Sequence, residues 1–305
     1  MGEKRASEKS LLSLFIVTGI LFLIFAGDKI TAASKITEKI YSPIRLTFGP
    51  ANNLLVSDYL AKSIVTVDRK RNKILKRFKI DGMPLGIAYH KGKIFVGNAT
   101  RRSVEVYLES GRMKYSFDTR VRQPNDIVID ESGGRVYVVD TFDKNVKVFS
   151  IEGNFLFRFP NSSTVHPLVN PTAVAFDKKN NFIYVSDYGD SARWIYPSVR
   201  IFDMDGNIVG EISGKLGMFG NRFSRPQGLV VDENGYVFLV DCFSGEILVF
   251  TGLTGMLVKT ISGYGTEDGK MRLPLDLVID PKSKDIFVTN NRGAKIEIFR
   301  AGGEL

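Results

Sequence analysis

PQGLVVDENGYVFLVDCFSGEILVFTGLTGMLVKTIS, residues 226–262, carries the pattern that decides the fold. Four short runs rich in Val, Leu, Ile and Phe follow one another: PQGLVVD, VFLVD, ILVFT and LVKTIS. Turn residues such as the DENG cluster separate them, and runs of this kind read as β-strands. The same order recurs on both sides. Leading segments begin at Pro43, Pro84, Pro124, Pro171, Pro226 and Pro274, in steps of 41, 40, 47, 55 and 48 residues. Each is followed by a second run (LLVSD, IFVGN, VYVVD, IYVSD, VFLVD, IFVTN) and a third (IVTVD, VEVYL, VKVFS, VRIFD, ILVFT, IEIFR). A fourth run follows in five of the six repeats. Six repeats of four antiparallel strands predict an all-β, six-bladed β-propeller. The sixth repeat stops after three strands, and an unpaired edge would be exposed there. The extended segment KITEKIY, Lys35 to Tyr41, is expected to supply the missing strand and close the ring.

The repeats resemble the NHL family, whose blades read roughly Pro-x-Gly-Ile-Ala-Val-Asp, then a strand ending in Val-Ala-Asp, then one ending in Val-Phe. Pro226 to Asp232 nearly matches the first of these. The blade connections match as well, with Gly214, Gly217, Gly220, Phe223 and Pro226 in one and Gly263, Gly265, Gly269, Met271 and Pro274 in the next. The resemblance covers residues 43 to 305 and implies architecture more than activity. Some NHL-like propellers are enzymes, among them an amidating lyase for peptide C-termini and, more distantly, metal-dependent lactonases. The lyase resemblance implies histidine metal ligands near the channel. This chain has only His90 and His166, and neither stands at the start of a first strand or just after a second one.

Before the repeats, residues 10–27 hold no charge and include LLSLFIVTGILFLIFA, preceded by Lys4, Arg5 and Lys9. A helix of eighteen residues rises roughly 27 Å, about the thickness of a bilayer core. The segment reads as an uncleaved anchor, with a cleaved signal as the alternative. The expected organisation is a basic N-terminus at 1–9, the hydrophobic helix at 10–27, a tether at 28–34 and the propeller at 35–305. The basic N-terminus favours an extracytoplasmic propeller, in the periplasm or at the cell exterior. One cysteine, Cys242, excludes an intramolecular disulfide scaffold.

Two positions after each leading proline stand Arg45, Gly86, Asp126, Ala173, Gly228 and Asp276, expected to ring the mouth of the central channel. Arg45, Asp126 and Asp276 are candidate ligand-binding residues there. Asp126 and Asp276 are also candidate metal ligands, because oxygen atoms suffice for a calcium-like ion; no other cofactor is expected. A second set, Asp58, Asn98, Asp140, Asp187, Asp241 and Asn290, ends the second strands. One such residue per blade fits turn capping better than catalysis. From that residue to the third strand is six positions in five repeats, but twelve from Asp187 to Val199. The insertion contains Tyr188, Arg193, Tyr196 and Trp194, the single Trp of the chain, a composition suited to binding.

The net charge of +9 is concentrated. Residues 35–123 hold 19 basic and 7 acidic side chains, whereas 124–305 hold 19 and 23. The RKRNKILKRFK run, residues 69–79, falls on the turn and outer strand of blade one, so anionic lipid is a candidate partner for blades one and two. Nucleic acid is not expected for a translocated chain. The expected function is a membrane-tethered platform binding a protein or a small molecule on its upper face. The alternative is a divalent-metal-dependent hydrolase or lyase working at the channel mouth.

Overall fold

The structure is a computed structural model that describes residues 31–36, 39–117, 121–160, 167–215 and 222–300. The expected hydrophobic helix at 10–27 and His166 lie outside these residues. No helix among the described residues is long and apolar enough to cross a membrane.

Six four-stranded antiparallel sheets are present, as the repeats predict. Blade one is formed by Pro43–Phe48, Leu54–Asp58, Ser63–Asp68 and Lys73–Lys79. Blade two uses Pro84–His90, Lys93–Asn98, Ser103–Leu108 and Met113–Ser116. Blade three uses Pro124–Asp130, Arg135–Asp140, Asn145–Ser150 and Phe155–Phe159. Blade four uses Pro171–Asp177, Phe182–Asp187, Ser198–Phe202 and Ile208–Ser213. Blade five follows with Pro226–Val231, Tyr236–Asp241, Glu246–Thr251 and Leu257–Ser262. Blade six holds Pro274–Ile279, Ile286–Asn290 and Lys295–Arg300. Its outer position is taken by Thr31–Ile36, antiparallel to Lys295–Arg300 with Thr31 opposite Arg300 and Ile36 opposite Ile296. That strand lies upstream of the expected Lys35 to Tyr41. Beyond it the chain enters blade one, where Ile40 is buried and the Tyr41 amide donates to Asp58.

Each first strand packs against the first strands of both neighbouring blades, the sixth against the first included. The apolar core is divided accordingly into six clusters, one at each interface between blades. Because both faces of every sheet are covered, second strands such as Leu54–Asp58 and Arg135–Asp140 are apolar almost without alternation. Phe95, Phe149, Phe250 and Phe299 are fully or almost fully buried, each contributing about 1.5–3 kcal/mol by leaving water. The fourth strands are the most exposed, and Lys73–Lys79 mixes exposed with half-buried residues and buries none fully.

The turns repeat as regularly as the strands. At the lower ends Asp130, Asp177 and Asp280 each accept two backbone N–H groups from the residues two and three further on. At the upper ends, the fourth residue after the terminal Asp or Asn has positive φ in five blades: Lys62, Arg102, Lys144, Gly245 and Ala294. Blade four departs from this, because its insertion replaces the short turn.

Candidate functional site

The residues two beyond the leading prolines meet at the ring axis. Arg45 is 2% exposed and reaches across to three other blades. Its Nε donates to the Asn125 carbonyl (3.1 Å), Nη1 to the Leu275 carbonyl (3.1 Å) and Nη2 to the Thr172 carbonyl (2.5 Å). Two carboxylates flank it, Asp276 at 3.4 Å and Asp126 at 3.7 Å. Their other oxygens are also engaged. Asp126 Oδ2 accepts the Val174 amide at 2.9 Å, and Asp276 Oδ2 accepts the Leu46 amide at 3.0 Å. Gly86 and Gly228 complete the ring through their lack of a side chain. A Cβ at Gly228 would stand 2.2 Å from Asp276 Oδ1, and one at Gly86 would stand 2.8 Å from the Asp126 Cα.

Burial pushes the Asp276 carboxyl up to about 7, against the pull of Arg45 and with the help of Asp126. Burial raises Asp126 as well, again opposed by Arg45. Two carboxylates around one guanidinium leave an excess negative charge in a dry site, and a retained proton removes it. A divalent ion between these carboxylates does not fit while Arg45 occupies the space. Among the described residues no cluster of three or more His, Cys, Asp or Glu side chains has the spacing of a metal site. The cavity over the axis, about 240 Å³, is lined by Arg45 with Ile44, Tyr59, Leu85, Asn125, Gln227 and Leu275, and by neither aspartate.

The second set of Asp and Asn residues ties the loops together. Asp58 accepts the Tyr41 and Ser42 amides, Asp140 those of Arg122 and Gln123, Asp187 those of Val169 and Asn170, and Asp241 those of Ser224 and Arg225. Each therefore pins the loop leading into its own blade. In blade three the charge is matched inside the same sheet. Lys147 pairs with Asp140 at 2.8 Å, while Asn98 and Asn290 donate instead to Glu105 and Glu297 at the corresponding position.

The insertion of blade four builds a groove against blade five. Asp190 and Ile195 exchange two backbone hydrogen bonds, 2.8 and 2.9 Å, around a short 3-10 turn, Ser191–Arg193. Gly189, at φ 66, lies so close to the Ile195 carbonyl that a Cβ would stand 2.2 Å from it. Trp194 follows in the left-handed region, with its side chain 82% exposed. The groove encloses about 560 Å³, and Tyr188, Trp194 and Tyr196 line it together with Asn170, Arg225 and Phe243. Arg193 is not in the lining; its Nε is 2.7 Å from Asp190 Oδ2. The Arg225 guanidinium lies 3.5 Å from the centroid of the Tyr188 ring and 5.7 Å from that of Phe243.

No protein-family model and no curated protein matches the chain. Solved structures share its architecture. Hydrazine synthase of Kuenenia stuttgartiensis superposes with a TM-score of 0.63 at 16% identity, over 87% of this chain and 78% of that one. Selenomethionine-substituted virginiamycin B lyase of Staphylococcus aureus gives 0.61 at 11% identity, over 90% and 99%. A catalytically inactive variant of that lyase with quinupristin gives 0.61 at 10%, over the same shares. At such identity the likeness is one of fold.

Arg225 and Phe243 are absent from the sequence-based candidates, although a signal for them exists. Phe243 stands two residues after Asp241, where blades one and three carry exposed Leu60 and Phe142. Aligning the upper turns across blades would have shown it. His90 ends a first strand and is buried, its Nδ1 3.5 Å from Glu131. The Cys242 thiol is buried, and burial, helped by Asp241, pushes it up to about 12. A thiol held protonated in this way is a poor nucleophile.

Proposed function

We propose that the protein is an NHL-type propeller tethered to the cell membrane through residues 10–27, held on the extracytoplasmic side, and serving as a platform that binds a protein or small ligand on its upper face. One observation carries the reading. The groove between blades four and five presents exposed Trp194 and Phe243 beside a half-buried arginine, whereas at the axis every nitrogen of the Arg45 guanidinium already donates to its own chain. Exposed aromatic side chains with an arginine have the composition of binding hot spots.

The strand Thr31–Ile36 supports the tether, because it brings the N-terminal end of the propeller to the outer edge of blade six, next to blade one. We read that strand as the closure of the ring. Blade one there exposes Lys70, Arg71, Lys73, Lys76 and Lys79, suited to an anionic lipid surface. Part of that charge is structural, since Arg77 pairs with buried Asp58 at 2.8 Å.

A photo-crosslinking amino acid placed at Tyr196, in the full chain in its native membrane, tests the platform. A discrete adduct is expected at that site and not at Leu75 on the outer strand of blade one. Absence of any adduct on the upper face, or a stoichiometric bound calcium that is lost in Asp126→Asn, would overturn it in favour of metal-dependent chemistry at the axis.

A further inference from the structure

A second arginine–aromatic pair on the upper face gives a comparison for the groove. Arg122, two residues before Pro124, leads into blade three, and Arg225, one residue before Pro226, leads into blade five; they come from neighbouring rather than equivalent positions of the repeat. Each lies 3.5 Å from the centroid of a ring, Phe142 for the first and Tyr188 for the second. Each also stands by the aromatic residue that comes two positions after the terminal Asp of its blade, Phe142 or Phe243. The next residue differs. In blade three it is Asp143, whose Oδ1 is 3.5 Å from Arg122. In blade five it is Ser244, whose buried Oγ has no hydrogen-bond partner.

Arg225 thus keeps the stacking and lacks the acid. No other carboxylate replaces it among the described residues. Asp190, the acidic residue of the groove lining, is held by Arg193 and by the Ala192 amide. Asp241 is buried beneath and accepts backbone N–H groups. A second cation, Lys215, stands over the Tyr196 ring at 5.0 Å, and no ion pair engages it among the described residues. The uncommitted charge of the groove is therefore positive. A guanidinium stacked on a ring does not spend its N–H groups there, and these match the two oxygens of a carboxylate or phosphate. The volume of about 560 Å³ suits a small molecule, and exposed Trp194 and Phe243 offer faces for a planar group.

We propose that the groove between blades four and five takes a small ligand in which a flat apolar ring is joined to an oxyanion, carboxylate or phosphate, with Arg225 receiving the charge and Trp194 and Phe243 receiving the ring. This rests on the reading of that groove as the ligand face. It goes further in fixing the sign of the ligand's charge.

Trp194 is the single Trp of the chain, so its emission reports on the groove alone. The test is a fluorescence titration of the full chain in phosphatidylcholine vesicles with phenylacetate, phenyl phosphate, the neutral isostere 2-phenylacetamide, and acetate. Phenylacetate or phenyl phosphate is expected to bind with a Kd on the order of millimolar, as fragments of that size do. The better of the two should bind at least about tenfold more tightly than phenylacetamide, the worth of one charge-assisted pair. Whichever anion is the tighter identifies the oxyanion. Arg225→Gln should abolish the difference between anion and amide, and Lys215→Gln should reduce it. Equal binding of phenylacetate and phenylacetamide in the wild-type chain would overturn the proposal while leaving a ring-binding platform in place. Acetate binding as tightly as phenylacetate would overturn the ring. No response to any probe would overturn both the proposal and the assignment of the groove as ligand face.

Discussion

Arg45 and Arg225 are arginines of one upper face, and they differ in what surrounds them. Arg45 donates to three carbonyls from three blades and lies between two carboxylates, with 2% of its surface exposed. Arg225 rests on two rings and has no carboxylate partner among the described residues. A guanidinium whose every nitrogen donates inside the chain works as a rivet. One held only by ring faces keeps its hydrogen-bonding edge for something else. Position on the functional face of a propeller therefore does not by itself distinguish a binding residue from a structural one. The state of its partners does.

Removing the rivet should have the largest effect. Arg45→Met leaves Asp126 and Asp276 buried without their cation, and breaking a buried pair from one side costs about 3–5 kcal/mol. Thermal melting should show a large loss that is partly restored in Arg45→Met combined with Asp276→Asn. Were the single variant as stable as the wild type, the axis would not depend on this cluster. Gly228→Ala comes next. Its Cβ would meet Asp276 Oδ1 at 2.2 Å, and overpacking of that kind costs about 1–3 kcal/mol, readable from denaturant unfolding.

A smaller effect should appear in pH dependence. The folded Asp276 titrates at about 7 against an ordinary value of 3.8, so between those limits the folded chain holds a proton that the unfolded chain has released. Its contribution to stability is full below about pH 4, falls as the pH rises through the window and is gone above it. The melting temperature of the wild type should accordingly drop more between pH 5 and pH 8 than that of Asp276→Asn; parallel profiles would contradict the shift. The smallest change belongs to Arg225→Gln. With no ion pair to lose, only its contact with the aromatic rings, it should alter unfolding by no more than about 1 kcal/mol. A large destabilisation would erase the contrast between the two arginines.

The six blades were legible because strands and turns repeat with the same residue types, and the repeat fixes the register. Register in turn placed Arg45, Asp126 and Asp276 together, since equivalent positions of a ring converge on its axis. It could not show that Arg45 would reach the Asn125, Thr172 and Leu275 carbonyls and fill the space expected for an ion. The length anomaly after Asp187 located the insertion. The other wall of the groove comes from Arg225 and Phe243, and no local pattern near Trp194 announces that blade five stands opposite. The outer strand of blade six was misplaced by several residues for a related reason. Lys35 to Tyr41 carries the apolar residues Ile36, Ile40 and Tyr41, whereas backbone pairing with Lys295–Arg300 extends back through Thr31.

The interface between blades six and one has a consequence for how the chain reaches its native state. Other interfaces join residues near in sequence, as between Val174 and Asp126, 48 apart, or Thr172 and Pro226, 54 apart. At this seam Leu46 meets Asp276 across 230 residues, Thr289 meets Ile44 across 245 and Asn291 meets Ser42 across 249. Lengthening a closed loop from near 50 to near 230 residues adds only roughly 1.3 kcal/mol of chain entropy, but distant contacts form slowly. Five interfaces can grow from neighbour to neighbour like turns of a spring, while the sixth must wait for the two ends to find each other. In a pulse-labelled refolding experiment, amides along that seam should become protected last.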